Sequence, residues 1–415
     1  MASREFPQIV IIGAARTPVG VKCGTLREFS PEDLAVFACE EAIRRSGIDR
    51  SRVDAVVGAN VYQFTAPGMQ DIYFPRNVAL RCRLDIETPA LMVQRICGSG
   101  LQTVINGVQQ IALPSSMDDA EVVLCFGSET MSRSPRILRS KRLKGSFWEF
   151  EERGELEDTL LLGLNHDLVN TTMMGTANEY GARMGITRQD CDDFAEQSHA
   201  RARAAYRESH FNGGDALKGI FAVDARDLCG TPVHLARDEC VRKTTREALS
   251  KLSAITPDGL VTAGNASEIS DGAAALVLAD RARAEALGLP TRFEVAGYGV
   301  VGVDPKVMGR GPVPAIAKAL VQARIEQKDV GLWEINEAFA AQVLGVQKEA
   351  NLNPAITNVN GGAIAIGHPL AATGGRMLVD LMYEMERRGV RYGCASACIG
   401  GGQGVAVIIK NTDGS

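Results

Sequence analysis

QIVIIGA, from Gln8 to Ala14, is followed by SPEDLAVFACEEAIRRSG, from Ser30 to Gly47, and then by VDAVVGANV, from Val53 to Val61. The outer two stretches are apolar, rich in β-branched residues and of strand length; the middle one carries apolar residues at helical spacing. It opens on a serine that can cap a helix and closes on a glycine that can end one. This β-α-β order sets an α/β reading that the rest of the chain extends.

The same rhythm continues in ICGSGLQTVINGVQQIAL, Ile96 to Leu113, a helix with a glycine-rich entry, and in AEVVLCFGSE, Ala120 to Glu129, a strand. From about Met131 to Ala254 the segments turn charged, irregular and helical, as in Arg139 to Asp158 and Thr187 to Phe211. Strand and helix alternation resumes after VTAGNASEISDGAAALVLAD and runs from Thr291 to a final strand, Gly404 to Lys410. Two similar α/β halves flanking an excursion suggest an internal duplication. The expected division is residues 1–130 with 254–280 as the first half, 131–253 as an inserted domain, and 281–415 as the second half.

With 415 residues, 45% of them hydrophobic and 23% charged, the chain can bury a large core divided among two or three domains. A net charge of −5 offers no broad cationic field for nucleic acid or an anionic membrane, though a local basic patch for a phosphorylated ligand stays open. No stretch approaches the length of a membrane span, and the amino-terminal apolar run suits a first strand better than a signal peptide. The ten cysteines form no CxxC pair. That spacing argues against a disulfide framework or a metal site and fits reduced thiols in the cytoplasm.

Chemistry concentrates in glycine-rich turns. Cys97, in QRICGSGLQTV, stands where a helix begins, a position whose dipole and unpaired N–H groups favour thiolate. Gly98 and Gly100 are expected to let a ligand come close. His368, one of five histidines, lies between glycine and proline in NVNGGAIAIGHPLAATGG; Cys398 ends an apolar strand in ASACIGGGQG. Each has a plain structural reading, as a core thiol, an exposed turn histidine or a tight turn. Together they suggest a nucleophile, a base and an acid around a deeply reaching ligand. GSGLQT does not complete a dinucleotide fingerprint, and no phosphate-loop lysine follows a glycine loop.

These motifs resemble those of the thiolase family: CGSG at Cys97, AGNAS at Ala263 to Ser267, VGVDPKVMG at Val301 to Gly309, NEAFA at Asn336 to Ala340, GHP at His368 and CIGGGQG at Cys398, in family order over nearly the whole chain. The resemblance implies duplicated βαβαβαββ halves in a five-layered α-β-α-β-α arrangement, with an inserted loop domain over coenzyme A. It implies reversible cleavage or Claisen condensation of a 3-oxoacyl-CoA through an acyl-Cys97, with His368 activating the thiol and Cys398 exchanging a proton with the acetyl α-carbon. Asn336, holding a water, and Gly400 would serve two oxyanion holes, which Claisen chemistry needs.

Arg242, Ser267 and Ala263 would contact CoA, and Met173, Met174, Met308 and Phe339 the acyl group and its surroundings. CoA and acyl-CoA are substrates; no permanent cofactor or metal is implied. A homodimer or dimer of dimers is expected, with an additional subunit as an open alternative. Met173 replaces the histidine of short-chain members, Glu268 follows AGNAS, and the segment Arg136 to Asp167 is longer and more charged than in them. These departures raise the alternative of a larger branched or aromatic substrate. Ketosynthases and hydroxymethylglutaryl-CoA synthases share the fold but lack a second catalytic cysteine in such a turn. A catalytically silent, acyl-CoA-binding scaffold would not need all these positions filled.

Overall fold

Strand β1 (Ile9–Arg16) is buried throughout, and its side chains divide by parity: Ile9 and Ile11 enter one apolar cluster, Val10 and Ile12 another. A strand covered on both faces needs no polar alternation, which explains the unbroken apolar run. Helix α1 (Pro31–Ser46) covers one face, with Ser30 and Asp33 in a reciprocal capping box and Gly47 at φ 71° closing it. The structure is a computed structural model describing residues 7–63, 65, 71–113, 120–138, 156–210 and 219–414. Residues 139–155, most of the charged stretch singled out in the sequence, lie outside the described residues.

The first half continues through β2 (Ala55–Ala59), β3 (Ala90–Val93), α2 (Ser99–Ile111) and β4 (Val122–Thr130). An excursion carrying α3 (Met173–Arg183) and α4 (Arg188–Arg207) follows, before β5 (Ser270–Asp280) returns to the sheet. The second half runs β6 (Phe293–Gly302), α5 (Pro312–Ala323), β7 (Val330–Ile335), α6 (Ala340–Glu349), α7 (Leu370–Arg388), β8 (Tyr392–Ile399) and β9 (Gln403–Asn411).

Sheet order is β7-β8-β9-β6-β1-β5-β4-β2-β3, and a short strand, Gly20–Val21, pairs beside β5 to make ten. The order is a palindrome of roles. In each half the first strand (β1, β6) pairs antiparallel with the last (β5, β9). The last pairs antiparallel with the penultimate (β4, β8), which pairs parallel with the second (β2, β7). Two features depart from the expected repeat. The halves' sheets are continuous, joined where Val10 and Ile11 pair with Glu294 and Phe293. Among the described residues the second half also has no full counterpart of β3, and an isolated parallel bridge from Trp333 to Thr357 stands in its place.

Three apolar layers separate the elements. The central one gathers α2 and α7 between the inner faces of both half-sheets, for example Leu101, Met377, Val123 and Val407. One outer layer lies beneath α1. The other lies beneath α5 and α6, where Ala406 and Ile408 take the parity opposite to Val405 and Val407. This is the five-layered α-β-α-β-α arrangement that the resemblance implies.

The central helices meet at backbone distance. A Cβ on Gly100 would stand 2.6 Å from the Gly375 nitrogen and 2.7 Å from the Ala371 oxygen, and one on Gly98 would collide with Ile399 and Val405. The expectation that these glycines admit a ligand is therefore corrected. They admit helix α7 and strands β8 and β9, and so fix the start of α2 against the end of β8.

Glu129, at the end of β4, clamps the same region. Its Oε1 accepts from Asn60 Nδ2 at 3.0 Å and Tyr62 N at 2.8 Å, and its Oε2 from Val61 N and Ala371 N at 3.1 Å each. Burial pushes its carboxyl up to about 8, against the pull of these N–H groups. Glu129→Gln would set an NH2 against two donors, so a loss of about 2–4 kcal/mol is expected. A thermal midpoint equal to wild type would contradict it.

Candidate active site

Cys97 sits in a 3-10 turn, Ile96–Gly98, just ahead of α2, and opens on a cavity of about 310 Å3. His368, Gly400, Met173 and Met174 share that cavity, as do Ala263, Ser267, Met308 and Phe339. Seven separated stretches thus converge. His368 follows the short helix Ala363–Ile366 and precedes α7, with its backbone N–H donating to the Glu268 carbonyl at 3.2 Å. Gly400 begins the turn between β8 and β9, where Gly401 and Gly402 have φ of 86° and 83°.

The thiol is not a resting thiolate. Burial pushes Cys97 up to about 12, although the N–H groups of Gly400 and of Cys97 itself pull it down. Helix-start polarity is present but smaller than desolvation, which corrects the sequence expectation. His368 is driven the other way, down to about 3, by burial first and then by Arg376. Both shifts keep the pair uncharged until a ligand arrives.

Its tautomer follows from Thr373. That hydroxyl donates to the Pro369 carbonyl at 3.1 Å and so accepts from His368 Nδ1–H at 2.6 Å. Nε2 is left with its lone pair, 3.4 Å from Asn336 Nδ2. A base with its free nitrogen in the site is what proton removal from a thiol requires.

Cys398 and Asn336 are fully buried behind the cavity lining. Cys398 packs with Met308, Ala338 and Phe339 and near Met173 and Met174; its thiol is raised well above the ordinary range by burial and then by Cys97 nearby. Arg242 stands outside the lining, its Nη1 donating to Glu268 Oε1 at 2.8 Å, and Glu268 lines the cavity. Tyr62, Met131 and His166 fall in no motif, and Leu370 and Thr373 stand unremarked in the stretch around His368; the sequence singled out none of the five, and all but Thr373 line the cavity. No group of three or more metal-ligating side chains occurs among the described residues.

Residues 9–282 match the thiolase N-terminal domain and residues 289–411 the thiolase C-terminal domain. The chain belongs to the thiolase family. It is 42% identical over 405 residues to bovine mitochondrial 3-ketoacyl-CoA thiolase, covering 97% of this chain and 98% of that one. With an acetyl-CoA acetyltransferase of Cupriavidus necator it shares 39% over 405 residues, covering 97% and 99%. The crystal structure of human mitochondrial 3-ketoacyl-CoA thiolase superposes with a TM-score of 0.91 at 40% identity, over 98% of this chain and 99% of that one. This thiolase is accordingly a CoA-dependent acyltransferase, and a branched or aromatic specialisation is not favoured by these relatives. Among the described residues no helix is long and apolar enough to cross a membrane.

Proposed function

We propose that this thiolase cleaves and forms 3-oxoacyl-CoA thioesters with Cys97 as nucleophile, His368 as base and Cys398 as proton carrier at the α-carbon. The observation that carries the reading is one cavity holding Cys97, the free nitrogen face of His368 and the Gly400 turn, with Cys398 behind it. In cleavage, Cys97 Sγ adds to the 3-oxo carbon as its proton passes to His368 Nε2. The C2–C3 bond breaks, its electron pair goes to C2, and Cys398 supplies the proton that completes acetyl-CoA. His368 then passes its proton to the Cys398 thiolate, free CoA gives its thiol proton to His368 as it attacks the acyl-Cys97, and His368 hands that proton to the departing Cys97 sulfur.

Charge on the thioester oxygen of the acyl-enzyme would fall to the N–H groups of Cys97 and Gly400, which already reach Sγ. The second oxygen would meet His368 and a water on Asn336, whose buried Oδ1 has no donor among the described residues. Ser267 and Ala263 line the cavity where pantetheine would enter, and Arg242 stands at its mouth. Residues 131–253 form the covering domain in this reading, since Leu164, His166, Met173 and Met174 supply one wall. The scattered cysteine spacing, with no CxxC pair, supports a reducing, cytoplasmic setting. Edge strand β3, with Leu91 43% exposed, supports a homodimer.

The acyl pocket is proposed to admit chains longer than acetoacetyl. Met173 lies with its sulfur 3.2 Å from where a Gly400 Cβ would be, so a flexible thioether covers the catalytic turn where an imidazole would be stiff and polar. Each methylene buried there adds about 0.8 kcal/mol. A linear six- or eight-carbon 3-oxoacyl-CoA is expected to equal or exceed acetoacetyl-CoA in kcat/KM, with Met173→His shifting the preference back. A steep fall beyond four carbons, unchanged in Met173→His, would refute it.

A further inference from the structure

Two short strands, Asn165–His166 and Thr171–Thr172, pair antiparallel, with Asn170 at φ 48° turning the chain between them. The Met173 N–H donates to the Leu164 carbonyl at 2.8 Å and closes the hairpin at its open end. One hairpin therefore sets two side chains of the catalytic cavity, Met173 and His166. Met173 covers Gly400, and His166 covers the next residue, its Nε2 lying 3.8 Å from where a Cβ on Gly401 would stand. The bond-making and bond-breaking steps leave this imidazole without a task.

What the ring can offer follows from its other nitrogen. His166 Nδ1 is buried and has no partner among the described residues. A buried acceptor left unpaired is tolerated more often than a buried N–H. In the neutral ring the proton therefore sits on Nε2, and the N–H is turned to the Gly401 side of the cavity. The Tyr62 hydroxyl, also in the lining, already donates to the Leu160 carbonyl at 3.2 Å. Ile96, Leu164, Met173 and Met174 make much of the remaining wall apolar. When an acyl chain expels water from this space, the Nε2–H forfeits about 1–3 kcal/mol unless the chain itself brings an acceptor.

We propose that His166 is a specificity-determining residue whose Nε2–H donates to a neutral oxygen in the outer part of the acyl chain, so that the preferred substrates are 3-oxoacyl-CoA thioesters bearing a hydroxyl, ether or carbonyl oxygen there. The proposal rests on the thiolase reading and names a class of substrate for its acyl pocket. The Gly400 N–H reaches Cys97 Sγ. Gly401 stands one Cα step of about 3.8 Å further on, so the ring meets a chain roughly three or four atoms past the carbon bound to sulfur. A terminal carboxylate fits less well. No arginine or lysine is among the described residues that line the cavity. An imidazolium offered to the carboxylate would carry a second N–H at the buried Nδ1, which has no acceptor.

The test exchanges one chain atom. 3-Oxooctanoyl-CoA and 6-methoxy-3-oxohexanoyl-CoA have the same length and differ only in a methylene against an ether oxygen, four atoms past C3. The wild-type full chain is expected to cleave the ether with a kcat/KM about threefold to tenfold higher, as one hydrogen bond gives. In His166→Leu the ratio is expected to invert, since a buried ether without a donor is worse than a methylene. His166→Gln, whose amide still offers an N–H, should keep it above one. A wild-type ratio at or below one, or the same ratio in wild type and His166→Leu, would overturn the proposal. 3-Oxohexanedioyl-CoA, with its terminal carboxylate, should fall below the ether; a carboxylate preferred to the ether would overturn the neutral class. Titration of the ether and its methylene counterpart onto Cys97→Ser reads the contact as Kd without turnover: tighter binding of the ether supports it, and equal binding overturns it. If the ether binds more tightly there but wild type cleaves no 3-oxoacyl-CoA, the contact stands and the assignment of the reaction fails.

Discussion

Cys97→Ser is expected to take up no acyl group and to lose at least about four orders of magnitude in thiolysis, a loss of the size seen when a covalent nucleophile is removed. In the wild-type site the thiol is pushed up to about 12 and His368 down to about 3. The proton therefore moves only as the sulfur attacks, helped by the lone pair that Thr373 leaves on Nε2. A serine hydroxyl is harder to ionise than a thiol and less nucleophilic, and the same desolvation would act on it. Intact-mass measurement after acetyl-CoA or acetoacetyl-CoA should show one acyl adduct in wild type, mapped to the peptide bearing Cys97, and none in the variant. Full labelling of Cys97→Ser would mean that another group carries the acyl chain.

What could be read in advance followed from how local each signal is. QIVIIGA and the capped helix after it declare themselves because strand burial and helix caps are written in neighbouring residues. The duplicated rhythm was legible for the same reason. The missing β3 counterpart was not, since a strand exists only through a partner and Thr357 makes a single bridge. At the site, Cys97, His368 and Cys398 stood out through their glycine-rich surroundings. The purpose of Gly98 and Gly100 was misread: a sequence shows that a side chain is lacking but not that Ala371, Gly375 and Ile399 occupy the space. Tyr62, Met131 and Leu370 look like ordinary core residues and reach the cavity only through the tertiary fold. The thiolate expectation failed on magnitude. The polarity at the start of α2 is there, and burial outweighs it.

Cys398→Ala separates the two halves of the chemistry. Cys398 ends β8, paired with Gly404 on β9, and its side chain is wholly buried with Met308 and Phe339 on one side and Cys97 within electrostatic reach. A thiol raised well above its ordinary range holds its proton firmly, which suits a group that must deliver that proton to a carbanion and not ionise beforehand. Acylation of Cys97 by acetyl-CoA needs the nucleophile, His368 and the N–H pair of Cys97 and Gly400, and makes no demand on Cys398. The expected result is therefore a loss of about three orders of magnitude in thiolysis and condensation, near the upper range for removing a general acid or base. Single-turnover acylation should fall by less than about tenfold, the allowance for a small cavity beside Met308 and Phe339. Wash-in of deuterium at the acetyl methyl of acetyl-CoA should vanish with the thiol. Cys398→Ser should restore part of it, since a hydroxyl can still relay a proton although it is a poorer acid. If acylation and α-carbon exchange fell together by the same factor, Cys398 would be acting through the position of Cys97, and the proton carrier would have to be sought elsewhere in the cavity.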